Sequence, residues 1–168
     1  MLHKKLVLNS RRKSGPAKGA RQERKIAKRL NQIFGEDVLW RTAGSGAKAT
    51  VTGSSVDAGD IGARHKDGHG FVTQNYVEIK ARELTLRDVV SILYVVGNSE
   101  MPQGKISKWW ADTKTKAAAS DKVPILMVQI PYVDYVVIYQ RPENRVPVAE
   151  TLGQWLVGLE HDKDRWIK

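Results

Sequence analysis

The stretch "NYVEIKA", residues 75–81, decides how this chain is read. Its β-branched and aromatic residues mark a strand, with Val77 and Ile79 on one face and Glu78 and Lys80 on the other. A carboxylate and an ammonium side by side on a half-buried strand are either a solvated surface pair or part of a site. Upstream, "GDIGARH" (59–65), the turn "KDGHG" (66–70) and "FVTQNYVEIKA" (71–81) read as a β-hairpin with a Gly-rich connection. A hairpin symmetric about residue 68 or 69 sets Asp60 opposite residues 76–78, gathering Asp60, Glu78 and Lys80 at one end.

Outward from that hairpin, hydrophobic periodicity supplies the remaining elements. Ile26, Ala27, Leu30, Ile33 and Phe34 fall at helical spacing within residues 17–34, and "DVLWR" (37–41) is a short strand. Residues 42–58 are mainly Gly, Ser, Thr and Ala, a long loop of the kind that carries function. "LTLRDVVSILYVVG" (84–97) fits helix or strand, and residues 105–120 form a helix with Ile106, Trp109, Trp110, Thr113 and Ala117 on one face. "VPILMVQI" (123–130) and "YVVIY" (135–139) are strands; residues 148–160 form a last amphipathic helix on Val148, Leu152, Trp155, Leu156 and Leu159. The order predicts an α/β domain around a central mixed sheet flanked by helices. The expected organisation is a flexible basic arm over 1–16 and one domain over 17–168.

The charge is concentrated at one end. Residues 1–30 hold eleven Lys and Arg and one acid, Glu23, which gives +10; residues 31–168 hold 17 of each sign and sum to zero. A basic block of this kind marks a polyanion-binding surface, most often for nucleic acid, with a solubilising tail as the bland alternative. With no cysteine, disulfides and thiolate metal sites are excluded. The four histidines, 3, 65, 69 and 161, show no ligand spacing, and the longest apolar run, 89–96, is too short to span a bilayer. "AGSGAK" lacks the Gly-Lys-Ser/Thr ending of a phosphate loop. A soluble cytoplasmic protein is expected.

Asp60 alone reads as a turn residue, but two carboxylates as close as Asp60 and Glu78 repel, which makes a purely structural role expensive. A divalent cation removes the repulsion, and magnesium takes hard oxygen ligands of this kind. Lys80 beside them can orient a water or offset charge on a phosphate. Glu23 lies in line with Ala27, Leu30 and Phe34, on the inward stripe of its helix, and has no base three or four residues away. The only acid among eleven bases is thus aimed at the sheet, and is expected alongside Asp60 and Glu78.

An inward glutamate, Gly-Asp before a strand, and Glu-x-Lys after a hairpin resemble the PD-(D/E)XK nuclease superfamily. The resemblance narrows to the archaeal-type Holliday junction resolvases, which some phages also encode, over residues 17–140. "KGARQERKIAKRL" (18–30) is similar to that family's first helix, "RTAGSG" (41–46) to its arginine-to-serine-glycine loop, "GDI" to its metal aspartate, and "VEIK" to its Glu-x-Lys strand. It implies a restriction-endonuclease-like core. It also implies magnesium (manganese as an alternative) on Asp60, Glu78 and the carbonyl of Ile79, assisted by Glu23, with Lys80 acting on the attacking water. Arg41 and Ser45 would touch the scissile phosphate, while Arg11, Arg12, Lys13, Lys18, Arg21, Arg24, Arg41 and Lys48 grip DNA.

The resemblance further implies a homodimer making paired nicks in four-way DNA, with the C-terminal helix and the tryptophans as interface candidates; Trp109 and Trp110 could stack on nucleobases, but on an amphipathic helix they read rather as core or subunit interface. Gly59 stands where the superfamily name has proline, and residues 84–104 read as an insertion. A nuclease acting on duplex, flap or nicked DNA and a non-catalytic DNA-binding module are the alternatives.

Overall fold

The computed structural model describes residues 15–42, 58–97, 104–140 and 146–166. The order is α1 (Gly15–Phe34), β1 (Leu39–Arg41), β2 (Ile61–Ala63), α2 (Lys66–Gln74), β3 (Asn75–Lys80) and α3 (Leu86–Val96). There follow α4 (Lys105–Ala119), β4 (Val123–Ile130), β5 (Asp134–Gln140), β6 (Pro147–Thr151), α5 (Leu152–His161) and α6 (Lys163–Trp166). A four-stranded sheet runs β3-β4-β5-β6, and β1 and β2 form a separate antiparallel pair. β3 is parallel to β4, while β4–β5 and β5–β6 are antiparallel. The sheet is therefore mixed and flanked by helices, as a restriction-endonuclease-like core requires. Among the described residues no helix is long and apolar enough to cross a membrane.

Each sheet face buries its own cluster. One face carries Val77, Ile79, Ile125, Met127 and Val137 against Ile26 and Leu30 of α1, Phe71 of α2, and Leu152 and Trp155 of α5. The other carries Leu126, Val128 and Ile138 against Val95 of α3 and Ile106 and Trp110 of α4. β4 is apolar on both faces because both are covered. Truncating one of its fully buried side chains, such as Leu126, to alanine costs about 2–5 kcal/mol. Parallel β3 and β4 need a long crossover, which α3 and α4 supply.

Asp88 organises that crossover. Its Oδ2 accepts the backbone N–H of Thr85 at 2.9 Å, while Thr85 Oγ1 accepts the Asp88 N–H, a capping box at the start of α3. Its Oδ1 accepts the N–H of Lys105, the first residue of α4, at 2.9 Å. One carboxylate thus caps two helices, and those N–H groups, Lys105 first, hold its pKa far below the ordinary carboxylate range.

Two expectations need correction. The hairpin over 59–81 does not form: residues 66–74 are helix α2, β2 pairs with β1, and β3 pairs with β4. Gly68, Phe71 and Val72 are buried at helical spacing, and His65 caps the helix by accepting the N–H of Asp67. Gly68 serves packing, since a Cβ there would stand 2.7 Å from Leu39 Cδ2. The last helix starts at Leu152, because residues 147–151 form strand β6 and the Thr151–Gln154 capping box sets the boundary. Trp110 and Trp155, 4% and 7% exposed, build the two cores, whereas Trp109 is half-buried. The segment 84–97, open between helix and strand, contains helix α3. The arm over residues 1–14 and the loop over 43–57 lie outside the described residues.

Candidate active site

β3 is an edge strand of the main sheet, so one side of its backbone needs partners from elsewhere. Asp60 provides them. Its N–H donates to the carbonyl of Val77 at 2.7 Å, and its Oδ2 accepts the N–H of Ile79 at 2.7 Å. Its own carbonyl accepts the N–H of Thr42 at 3.0 Å, which ties the β1 end to the same point. Gly59, at φ +99°, makes the approach possible, because a Cβ there would lie 2.9 Å from the Val77 carbonyl oxygen. The N–H and C=O of a strand residue point to the same side, so the Ile79 carbonyl faces the Asp60 edge.

Tyr76, Glu78 and Lys80 share the opposite face of β3, as alternation predicts, toward α4. In the register Glu78 stands beside Leu126 and Lys80 beside Val128, members of an apolar layer. A carboxylate there must be paired to remain charged. Glu78, 7% exposed, is paired three ways: Oε1 with the ammonium of Lys80, and Oε2 with the Tyr76 hydroxyl, which donates at 3.1 Å, and with Lys116 Nζ at 3.6 Å. Burial drives the pKa of the Tyr76 hydroxyl well above its ordinary value, and the carboxylates of Glu78 and Asp60 push it further. Asp60, 8% exposed, is thus an electrostatic neighbour of the Glu78 group.

Glu23 pairs with Arg41 of β1. Its Oε2 accepts Nε–H of Arg41 at 2.5 Å, and both side chains are largely buried. Among the described residues no three His, Cys, Asp or Glu side chains gather closely enough to hold a metal. The base absent from Glu23's own helix thus arrives from β1, one residue before Thr42, whose N–H the Asp60 carbonyl accepts. Asp60 and Glu78 are hard oxygen donors of the kind magnesium uses, since that ion commonly takes one or two carboxylates and keeps several waters.

Lys18, Arg21, Arg24 and Lys28 are exposed on α1, while Lys25 and Arg29 reach Asp134 at 3.8 and 2.5 Å. Arg24 and Lys28 line a groove of about 650 Å³ with Trp40, Arg41 and Arg64. The Arg64 guanidinium stacks over the Trp40 ring at 5.1 Å. Arg11, Arg12, Lys13, Ser45 and Lys48 lie outside the described residues.

Sequence reasoning passed over Tyr76, Lys116 and Arg64. Tyr76 was accessible to it, two residues before Glu78 on the same strand face. Lys116 was not, because a tertiary contact between α4 and β3 places it.

No curated protein and no solved structure matches the chain. The family described as phage putative PDDEXK endonuclease matches residues 14–155, which contain the helix α1, Asp60, the Glu78–Lys80 strand and the sheet. Over that span the chain belongs to this family of phage putative PDDEXK endonucleases.

Proposed function

We propose that this protein is a magnesium-dependent, structure-specific endonuclease that resolves four-way DNA junctions, acting as a homodimer. The observation that carries the nuclease reading is the buried Glu78 paired with Lys80 on an edge strand whose open side is closed by the buried Asp60. Support for the junction as substrate comes from the likeness of residues 17–140 to archaeal-type resolvases. The homodimer is argued from symmetry: two identical active sites suit a pseudo-two-fold substrate.

In this reaction the oxygen of a water forms a bond to phosphorus, the bond from phosphorus to a deoxyribose oxygen breaks, and the leaving oxygen takes up a proton. Magnesium, held by Asp60, Glu78 and the Ile79 carbonyl, would supply Lewis-acid polarisation and a more acidic bound water. Lys80 orients the attacking water and offsets charge on the phosphate. Arg41, fixed by Glu23, presents a guanidinium to a DNA phosphate, so Glu23 is a positioning residue. The exposed bases of α1 hold the DNA backbone without reading sequence.

The test is cleavage of a labelled immobile four-way junction and a matched linear duplex, each with magnesium or EDTA. Paired, symmetric, magnesium-dependent nicks in the junction alone are expected. Equal cutting of both substrates would remove junction specificity and leave a general DNA endonuclease. Tight binding without cutting under any divalent ion would refute the nuclease reading.

A further inference from the structure

Lys116 stands at this site without an explanation from stability. It is half-exposed on α4, and its Nζ lies 3.6 Å from Glu78 Oε2, beyond a good hydrogen bond but within ion-pair range. A half-exposed pair of that length contributes little to folding. Nor does Glu78 depend on it, since Lys80 holds Oε1 and the Tyr76 hydroxyl already donates to Oε2. What the contact does is hold an ammonium, on a flexible four-carbon stem, beside the buried Glu78 carboxylate.

Charge counting gives that position a purpose. Asp60 and Glu78 carry −2 and Lys80 and Lys116 carry +2, so these four side chains are neutral together. A divalent cation would leave them at +2, which matches a phosphodiester under attack by hydroxide, with one negative charge from each. Without Lys116 the match falls short by one charge. The same cation would satisfy Glu78 and loosen its attraction for Lys116, freeing the ammonium.

We propose that Lys116 is a second phosphate-directed lysine of this active site, parked on Glu78 and turned to the scissile phosphate when a divalent cation is bound. This rests on the nuclease reading above. It makes α4 a catalytic element, with Lys116 adding transition-state charge stabilisation that Lys80, on the strand itself, does not supply from that side.

The experiment compares Lys116→Gln and Lys116→Arg with the parental protein in two measurements. Single-turnover cleavage of a labelled four-way junction and of supercoiled plasmid in magnesium reads the chemical step. Calorimetric titration of manganese into the DNA-free protein reads the competition for Glu78. Lys116→Gln is expected to slow cleavage about tenfold or more at saturating protein. It should also tighten manganese binding, because a competing cation is gone; Lys116→Arg should restore most of the rate. Parental cleavage matched by Lys116→Gln within about twofold would overturn the inference and leave the nuclease reading standing. Unchanged or weaker manganese binding in Lys116→Gln would overturn it too. A parental protein that binds manganese but cuts no DNA would refute the nuclease reading itself, and the inference with it.

Discussion

The Asp60 carboxylate accepts the N–H of Ile79 at 2.7 Å while its own N–H donates to the Val77 carbonyl at 2.7 Å, so one residue closes the open edge of the Glu-x-Lys strand. The geometry depends on the glycine before it. A φ of +99° is closed to proline, whose ring fixes φ near −65°, and strained for any residue with a Cβ. Gly59 in place of the superfamily's proline is therefore a requirement of this backbone. Gly59→Ala should destabilise the fold by about 1–3 kcal/mol in denaturant titration. It should also lower cleavage more than folding explains, by shifting Asp60 off the β3 edge. Full activity in a Gly59→Ala protein would contradict this account.

Glu78 is the residue whose loss separates binding from chemistry. Glu78→Ala removes a buried carboxylate and leaves Lys80 and Lys116 facing each other, both cationic. Cleavage should fall below detection, at least a hundredfold. Junction binding measured in EDTA should hold or improve, because a negative charge has left the DNA-facing side. A Glu78→Ala protein that cuts at the parental rate would show that Glu78 plays no part in the metal site.

The strand and the first helix were legible in the sequence for a physical reason: alternation along β3 and the 3.6-residue period of α1 are local. The reach of Asp60 to the β3 strand was legible too, but through the wrong topology. Gly68 and Gly70 look like a turn because nothing in the sequence shows Leu39 packed where a Gly68 Cβ would stand. The result is a helix, and Asp60 still reaches β3 from the β1–β2 pair. Val148 fits the stripe of the last helix equally well, so only the Thr151–Gln154 cap could have set that boundary. The Glu23–Arg41 pair and the reach of Lys116 are non-local, and no window of sequence contains them.

Glu23 and Arg41 should behave as a couple. Glu23→Gln keeps the shape but frees Arg41 from its fixed orientation, whereas Arg41→Ala strands a largely buried carboxylate. Both should slow cleavage, and the double variant should lose less than the sum of the two single losses. Double-mutant analysis of single-turnover rates checks this. Strict additivity would mean that Glu23 acts independently of Arg41.

Junction binding should weaken steeply with salt, because the basic face of α1 replaces counterions on the phosphates. Arg24→Ala and Lys28→Ala, both exposed and beside the Trp40–Arg64 stack, should each lower affinity for every DNA sequence alike. Each should reduce the slope of log affinity against log salt by about 1. Fluorescence anisotropy from low to high salt measures this, and a flat salt dependence for the parental protein would refute a phosphate-gripping role for α1.

Acid should find the crossover through Asp88. Its folded pKa lies far below the ordinary carboxylate value of 3.8, held there by the N–H groups of Lys105 and Thr85. A depressed carboxylate contributes stability that is fully present above the unfolded pKa and lost as pH falls toward the folded one. The part of stability due to Asp88 is therefore complete at neutral pH and declines below about pH 4. Asp88→Asn cannot titrate, and its amide presents only one acceptor oxygen to three donors. It should melt lower than the parental protein at pH 7, and the gap in melting temperature should narrow as pH drops from 4 to 3. A gap that stays constant over that range would mean that Asp88 caps α3 and α4 by shape and not by charge.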